Sequence, residues 1–308
     1  MMAPMPAARR SVLVAAVCVA LALGAGCGSS GPDGAPAAEA AASDRADTLR
    51  VDRFDEARAM RLLRAQVALG PRPSGSAPAR RLAARMARLL PNGRVERGPG
   101  DVRNVVGHLP GRRPAIVVGA HYDTKDIPRN VGANDGASGV AVVVGLARAL
   151  RPTRVRGARE IRFVLFDAEE STPGSTDFLR DGLRGSRAYV ARHGDQVQRA
   201  IVVDMVGDAD LEIPREAGSN ARMWTWLRRS AARVGAADVF PSRSRSEILD
   251  DHTSFTEAGI PAIDIIDFTY PPWHTPRDTL DKVSPASLDQ VGETLVDLLP
   301  RLARPASR

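Results

Sequence analysis

The sequence predicts a three-layer α/β/α fold with a central mixed, mostly parallel sheet. Three observations carry that expectation. Apolar, β-branched runs recur at 104–109, 115–120, 161–166, 200–206 and 260–266. Segments with apolar residues at helical spacing lie between and around them. The runs are apolar along their length instead of alternating, as strands are when helices cover both faces of a sheet.

Taken in order, the chain opens with Arg9-Arg10, an apolar run over 11–23, the small residues Gly24-Ala25-Gly26, and Cys27. A charged start, a short apolar stretch and small residues read as a secretory signal peptide over 1–26, the apolar run being too short to span a bilayer comfortably. The cysteine after the small residues resembles a bacterial lipobox, so Cys27 is expected to carry lipid and to anchor the protein outside the cytoplasm; secretion without an anchor is the alternative. Residues 27–47, rich in Gly, Ala, Ser and Pro, read as a flexible tether. A single α/β domain is expected over 48–308.

Helical spacing appears at 57–68 and at 79–90, the latter closed by Pro91-Asn92-Gly93. Strands over 104–109 and 115–120 follow, then a helix over 138–150, a strand over 161–166 and a helix over 183–192. A strand over 200–206, a helix over 219–234, a strand over 260–266 and a helix over 287–302 complete the pattern. No internal repeat is visible.

Composition narrows the function. The 308 residues carry 43 Lys+Arg against 36 Asp+Glu, a formal charge of +7, which invites a nucleic-acid reading. Lys125 and Lys282 are the two lysines, and the arginines are interspersed with acids along helical stretches. No basic run alternates with aromatics, as a single-strand binder requires. Nucleic acid is therefore not an expected partner. Two cysteines, Cys18 and Cys27, exclude a disulfide scaffold and a four-cysteine zinc site. Cys18 leaves with the signal.

The polar residues suited to catalysis sit just after the expected strands, where open α/β sheets place their ligand sites. The strand over 115–120 runs into His121-Tyr122-Asp123-Thr124-Lys125, and that over 161–166 into Asp167-Ala168-Glu169-Glu170. Gly132-Ala133-Asn134-Asp135-Gly136 opens a helix. The last strand leads through Asp267 to Trp273-His274-Thr275. Singly, Asp135 reads as a helix N-cap, His121 as a hydrogen-bonded core histidine, and Glu169-Glu170 as a solvated turn. Asp204, within Ile201-Val202-Val203-Asp204-Met205-Val206, must be paired, protonated or on a metal. Together, three carboxylates and two histidines at one sheet edge repel one another unless cations sit among them, and such a donor set suits zinc.

These residues resemble a known family. Gly119-Ala120-His121-Tyr122-Asp123, Gly132-Ala133-Asn134-Asp135, Asp167-Ala168-Glu169-Glu170, Asp204-Met205-Val206-Gly207, Asp251-His252 and His274-Thr275 are similar, in order, to the zinc aminopeptidases of metallopeptidase family 28. Leu69-Gly70-Pro71-Arg72-Pro73-Ser74-Gly75-Ser76, Lys125, the insertion ending at 182–187, the Asp250-Asp251 doublet and Trp273 before His274 look more like the glutaminyl cyclase branch of that fold. That branch's insertion usually carries a tryptophan, and none occurs between Ser171 and Gly185.

The resemblance implies roles. Asp135, Glu170 and His274 would hold one zinc; His121 and Asp204 would complete a second site in an aminopeptidase. Asp123 would accept the His121 imidazole N–H, with His252 nearby, and Glu169 would be the general acid/base. In a cyclase, which needs one zinc, Asp250 and Asp204 would assist the proton relay and Trp273 would floor the substrate pocket. An aminopeptidase would use two zincs. Either enzyme takes the free N-terminus of a peptide or protein. A non-catalytic binding domain on this fold is the remaining alternative.

Overall fold

A computed structural model describes residues 51–151 and 158–304, all within the compact unit Pro36–Arg308. The expected signal peptide, Cys27 and the tether lie outside the described residues. Helices α1 (Glu56–Val67) and α2 (Ala77–Leu89) precede strands β1 (Arg94–Arg97), β2 (Arg103–Leu109) and β3 (Arg112–His121). Next come α3 (Ala137–Ala149), β4 (Arg159–Phe166), α4 (Phe178–Asp181), α5 (Arg184–His193) and β5 (Val197–Asp204). Short β6 (Arg215–Glu216), α6 (Ala221–Val234), short β7 (Ser244–Arg245), α7 (Asp251–Glu257), β8 (Ala262–Ile266) and α8 (Pro285–Ala303) follow.

The main sheet has the order β1-β2-β4-β3-β5-β8. β3 pairs in parallel with β4 and with β5, and β5 with β8; β1/β2 and β2/β4 are antiparallel. The sheet is thus mixed and mostly parallel, as expected. Side chains alternate across it with the two-residue period of extended chain. Ile116, Val118, Phe163, Leu165, Ile201, Val203, Ile263 and Ile265 enter the larger core, beneath residues of α1, α2, α3, α6 and α8. Val117, Val164, Phe166, Ala200, Val202 and Ala262 enter a second core closed by Tyr189 of α5 and Phe255 of α7. Burying each Val, Ile or Phe is worth about 1.5–3 kcal/mol, so both faces contribute and the third layer is real.

The chain leaves β3 through α3 on one face to reach β4, then returns through α5 on the other to reach β5, on the far side of β3. Connections that diverge in this way open a crevice at the carboxyl ends of the strands. His121 and Asp204 are the last residues of β3 and β5, and Asp167 directly follows β4.

Boundaries differ from expectation for local reasons. β1, with the sequence Arg-Val-Glu-Arg, is a charged edge strand; edges are commonly guarded this way, and such a strand has no apolar run to read. β5 stops at Asp204, not at 206, because Met205 turns to a φ of 43°. β8 starts at Ala262, after Pro261, which has no N–H to give a ladder. Gly136, at a φ of 87°, precedes α3; a Cβ there would lie 3.0 Å from the Asp123 carbonyl oxygen and from the His121 ring. Among the described residues no helix is long and apolar enough to cross a membrane.

Candidate active site

Asp135 touches both histidines. Its Oδ1 lies 3.2 Å from His121 Nε2 and its Oδ2 lies 3.5 Å from His274 Nε2. His121 Nε2 is also 3.1 Å from Asp204 Oδ1, and His274 Nε2 is 3.1 Å from Glu170 Oε1. Two donor groups result, His121–Asp135–Asp204 and Asp135–Glu170–His274, each with its ligand atoms within 4.8 Å of one another. Asp135 Oδ2 is buried and has no hydrogen-bond partner. An orphaned carboxylate oxygen, beside imidazole nitrogen and further carboxylates, is a donor set that fits zinc or a similar divalent ion.

Backbone hydrogen bonds fix these side chains. The Asp278 carboxylate accepts the N–H groups of Asn134 (2.8 Å) and Asp135 (3.0 Å) and the Tyr270 hydroxyl (2.8 Å), locking the turn that presents Asp135. Asn134 Oδ1 accepts the Gly207 N–H at 2.7 Å, tying that turn to the end of β5. Ala168, Met205 and His274 hold φ values of 58°, 43° and 53°. Positive φ at such residues is costly and concentrates where surrounding structure fixes a functional group.

Asp123 meets the expectation in part. Its Oδ1 faces His121 Nδ1 at 3.7 Å, longer than a hydrogen bond, and Nδ1 has no other hydrogen-bond partner. Asp123 also accepts the N–H groups of Glu169 (3.2 Å) and Glu170 (3.3 Å). A carboxylate offers about four acceptor sites, so Asp123 shapes the Glu169-Glu170 turn while facing the imidazole.

His252 is also placed differently from expectation. It starts α7 next to Asp250 and Asp251, but its Nε2 is 3.4 Å from Glu216 Oε1 and its Nδ1 3.7 Å from Asp264 Oδ2. It therefore faces buried acids behind Asp250 rather than the two donor groups. Lys125 packs near the site: its Nζ is 3.3 Å from Glu170 Oε2 and donates to Ser171 Oγ at 2.6 Å.

Crowding of buried acids governs protonation. Burial, then the charge of Glu170, pushes Asp135 up to about 7. Burial, then Glu170, holds Glu169 well above the usual carboxylate range, with Asp250 and Asp251 adding to the rise. Burial and the charge of Asp204 push Asp250 up to about 7. For Glu170 burial acts upward but is outweighed by the hydrogen bond and charge of His274, then by His121 and Lys125, leaving it low. His121 is raised well above its ordinary value: burial opposes this, but Asp204, Asp123 and Asp135 prevail. Such a cluster holds protons until a cation replaces them.

Beside the donor groups lies a cavity of about 500 Å³. Glu169, Asp204 and Asp250 line it with Asp135, Glu170 and His274, and its apolar walls come from Phe178, Ile248, Ile266, Phe268 and Trp273. Trp273 stacks on His274, ring centres 4.0 Å apart at 22°, and Phe268 meets Trp273 at 4.7 Å. Trp273 is 40% exposed, so it forms the rim more than the floor.

Sequence reasoning missed Asp278, Asp264 and Phe178. Asp264 carried the signal that exposed Asp204, a carboxylate inside an apolar strand. Asp278, in the polar stretch 275–279, carried none. Phe178 lies in the insertion noted for its missing tryptophan and supplies an aromatic wall there.

Every residue of the two donor groups and the pocket's acids falls within 104–299, the span matched by the model described as Peptidase family M28. The chain belongs to peptidase family M28. It is 32% identical to the aminopeptidase YwaD of Bacillus subtilis over 198 residues, which are 59% of this chain and 40% of that enzyme. A glutaminyl cyclase from an Acidobacteriales bacterium superposes with a TM-score of 0.71 at 29% identity, covering 82% of this chain and 95% of the other. A leucine aminopeptidase precursor from Bacteroides thetaiotaomicron superposes at 0.73 with 25% identity, covering 82% and 99%. The M28 architecture is thus shared with proteins named for both chemistries.

Proposed function

We propose that this M28 protein is a zinc-dependent glutaminyl-peptide cyclotransferase, which converts N-terminal glutamine to pyroglutamate with release of ammonia. One observation carries the reading: Glu169, Asp204 and Asp250 face a single aromatic-walled cavity, directly beside Asp135, Glu170 and His274. Zinc on Asp135, Glu170 and His274 would polarise the substrate's γ-amide carbonyl. Within the cavity the α-amine nitrogen bonds to the carbonyl carbon (Cδ) of that amide, and the bond from this carbon to the amide nitrogen breaks. Glu169 takes one proton from the attacking amine and delivers it to the departing nitrogen, so that ammonia leaves and no water is consumed. A carboxyl lifted toward neutrality by burial suits both halves of that transfer. Asp250, also raised, stands beside the path. Phe178, Phe268 and Trp273 enclose a short side chain and keep water out, Phe178 standing in for the tryptophan absent from the insertion.

A second reading has its own support. The His121–Asp135–Asp204 group is complete, and Asp135 joins it to the first, as a two-zinc aminopeptidase requires. There Glu169 would draw the proton from an attacking water and pass it to the leaving amine. A paired assay separates the two. The purified protein, given a Gln-initiated and a Leu-initiated peptide, is expected to remove the mass of one ammonia from the first and leave the second intact. Release of a free N-terminal amino acid would transfer the assignment to the aminopeptidase.

A further inference from the structure

We propose that the end of the molecule opposite the active site is a docking face for an anionic lipid surface, whose phosphate groups are gripped by two arginine-lined clefts. The first cleft, about 490 Å³, lies at the starts of β4 and β5 against α6 and α8. Arg159, Arg199, Arg229, Arg233, Arg301 and Arg304 line it around Trp226. Asp297 answers Arg233 and Arg301. Arg159, Arg199, Arg222 and Arg229 form no ion pair with a described carboxylate. The Arg199 and Arg222 guanidiniums each lie 5.1 Å from the Trp226 ring centre. Burial and repulsion from Arg159 and Arg222 lower the pKa of Arg199, as expected where positive charge is gathered without an anion.

The second cleft, about 450 Å³, is lined by Arg58, Arg61, Arg85, Arg88, Arg148 and Arg151, with the partly exposed leucines Leu62 and Leu89. All six arginines are exposed. Asp55, 4.0 Å from Arg61, is the carboxylate paired with any of them among the described residues.

Both clefts lie toward the amino ends of the parallel strands, whereas the acids of the active site lie at the carboxyl ends. Arg159 is the first residue of β4, and Arg148 and Arg151 sit at the end of α3. The described residues also begin here. Gln66, near the end of α1, reaches the Ala137 carbonyl at the start of α3, whereas Phe54, before α1, packs on Gly145 toward the end of α3. The fifty residues before Val51 in the sequence include the apolar run over 11–23.

A lipid surface satisfies these features together. Guanidinium matches phosphate oxygens in a two-pronged geometry. Trp226 and the leucines suit the headgroup level, where amphipathic rings and aliphatic groups settle. A protein seated on this face keeps its pocket directed away from the surface and open to peptides.

The test is vesicle co-sedimentation of the full chain carrying Cys27→Ser, on phosphatidylcholine and on phosphatidylcholine mixed with phosphatidylglycerol. The apolar run contributes equally to every variant. Partitioning is expected to rise with phosphatidylglycerol and fall with salt. Arg222→Gln, Arg229→Gln, Arg61→Gln and Arg88→Gln should each weaken it about fivefold, and Arg129→Gln at the opposite edge should not. Unchanged thermal unfolding shows that each variant is folded. Equal partitioning onto both vesicle types, or equal loss from Arg129→Gln, would overturn the proposal.

Discussion

Asp123 holds Glu169 by its backbone: the aspartate's Oδ1 accepts the glutamate's N–H at 3.2 Å, and its Oδ2 accepts the next N–H along. Asn at this position keeps a single acceptor oxygen and leaves one buried N–H orphaned. Asp123→Asn is therefore expected to cost about 1–3 kcal/mol of stability. It should also lower kcat while bound metal changes little. Urea unfolding, steady-state kinetics and elemental analysis on one preparation check this; an unchanged kcat would show that the clamp does not position Glu169.

Glu169 is the sole proton carrier proposed for both bond-forming and bond-breaking halves of the reaction. Glu169→Gln should reduce kcat by about 10²–10⁴ with zinc content unaltered. Retained turnover would remove it from the mechanism.

Because Asp135 belongs to both donor groups, its loss should be felt more widely than that of either histidine. Asp135→Ala is expected to bind no zinc. His274→Ala should empty the group it shares with Glu170, and His121→Ala should spare that group. Zinc per chain, measured after dialysis against metal-free buffer, distinguishes these patterns; a fully metallated His274→Ala would refute the assignment.

Stability of the metal-free protein should depend on pH in a stated direction. Asp135 and Asp250 sit at about 7 when folded, above the ordinary carboxylate value they recover on unfolding. Their contribution is complete below that ordinary value and disappears as pH rises through 7. The chelated protein should thus lose on the order of a few kcal/mol between pH 5 and pH 8. Calorimetric scans at the two pH values test this, and added zinc should remove the trend. A metal-free protein that grows more stable toward pH 8 would contradict it.

Phe178 supplies one wall of the cavity from the insertion after β4. Phe178→Ala is expected to raise KM for a Gln-initiated peptide by about tenfold through lost apolar contact, with a smaller change in kcat. Phe178→Trp should bind at least as well as the parent. Initial-rate kinetics on the three proteins decide whether the wall meets the substrate.

The sheet was legible because its strands are continuous apolar runs, and the donor residues because they follow those runs directly. His121, Asp135, Glu170, Asp204 and His274 are brought together from five separate stretches of sequence. What remained hidden depends on partners. Asp278 does nothing locally that marks it; its importance is two backbone N–H groups 143 and 144 residues away. The direction in which His252 points is set by Glu216 and Asp264, neither adjacent to it in sequence. Asp123 has the spacing of an imidazole partner, but its two backbone donors, at 169 and 170, could not be read from that spacing.

The reach from Asp278 to the turn at Asp135 also sets a timetable for synthesis. His121 and Asp135 are made more than 130 residues before the carboxylate that locks their turn and before the second imidazole. A chain made only as far as β8 has every strand of the main sheet but neither Asp278 nor His274, so the framework is complete before the site can be.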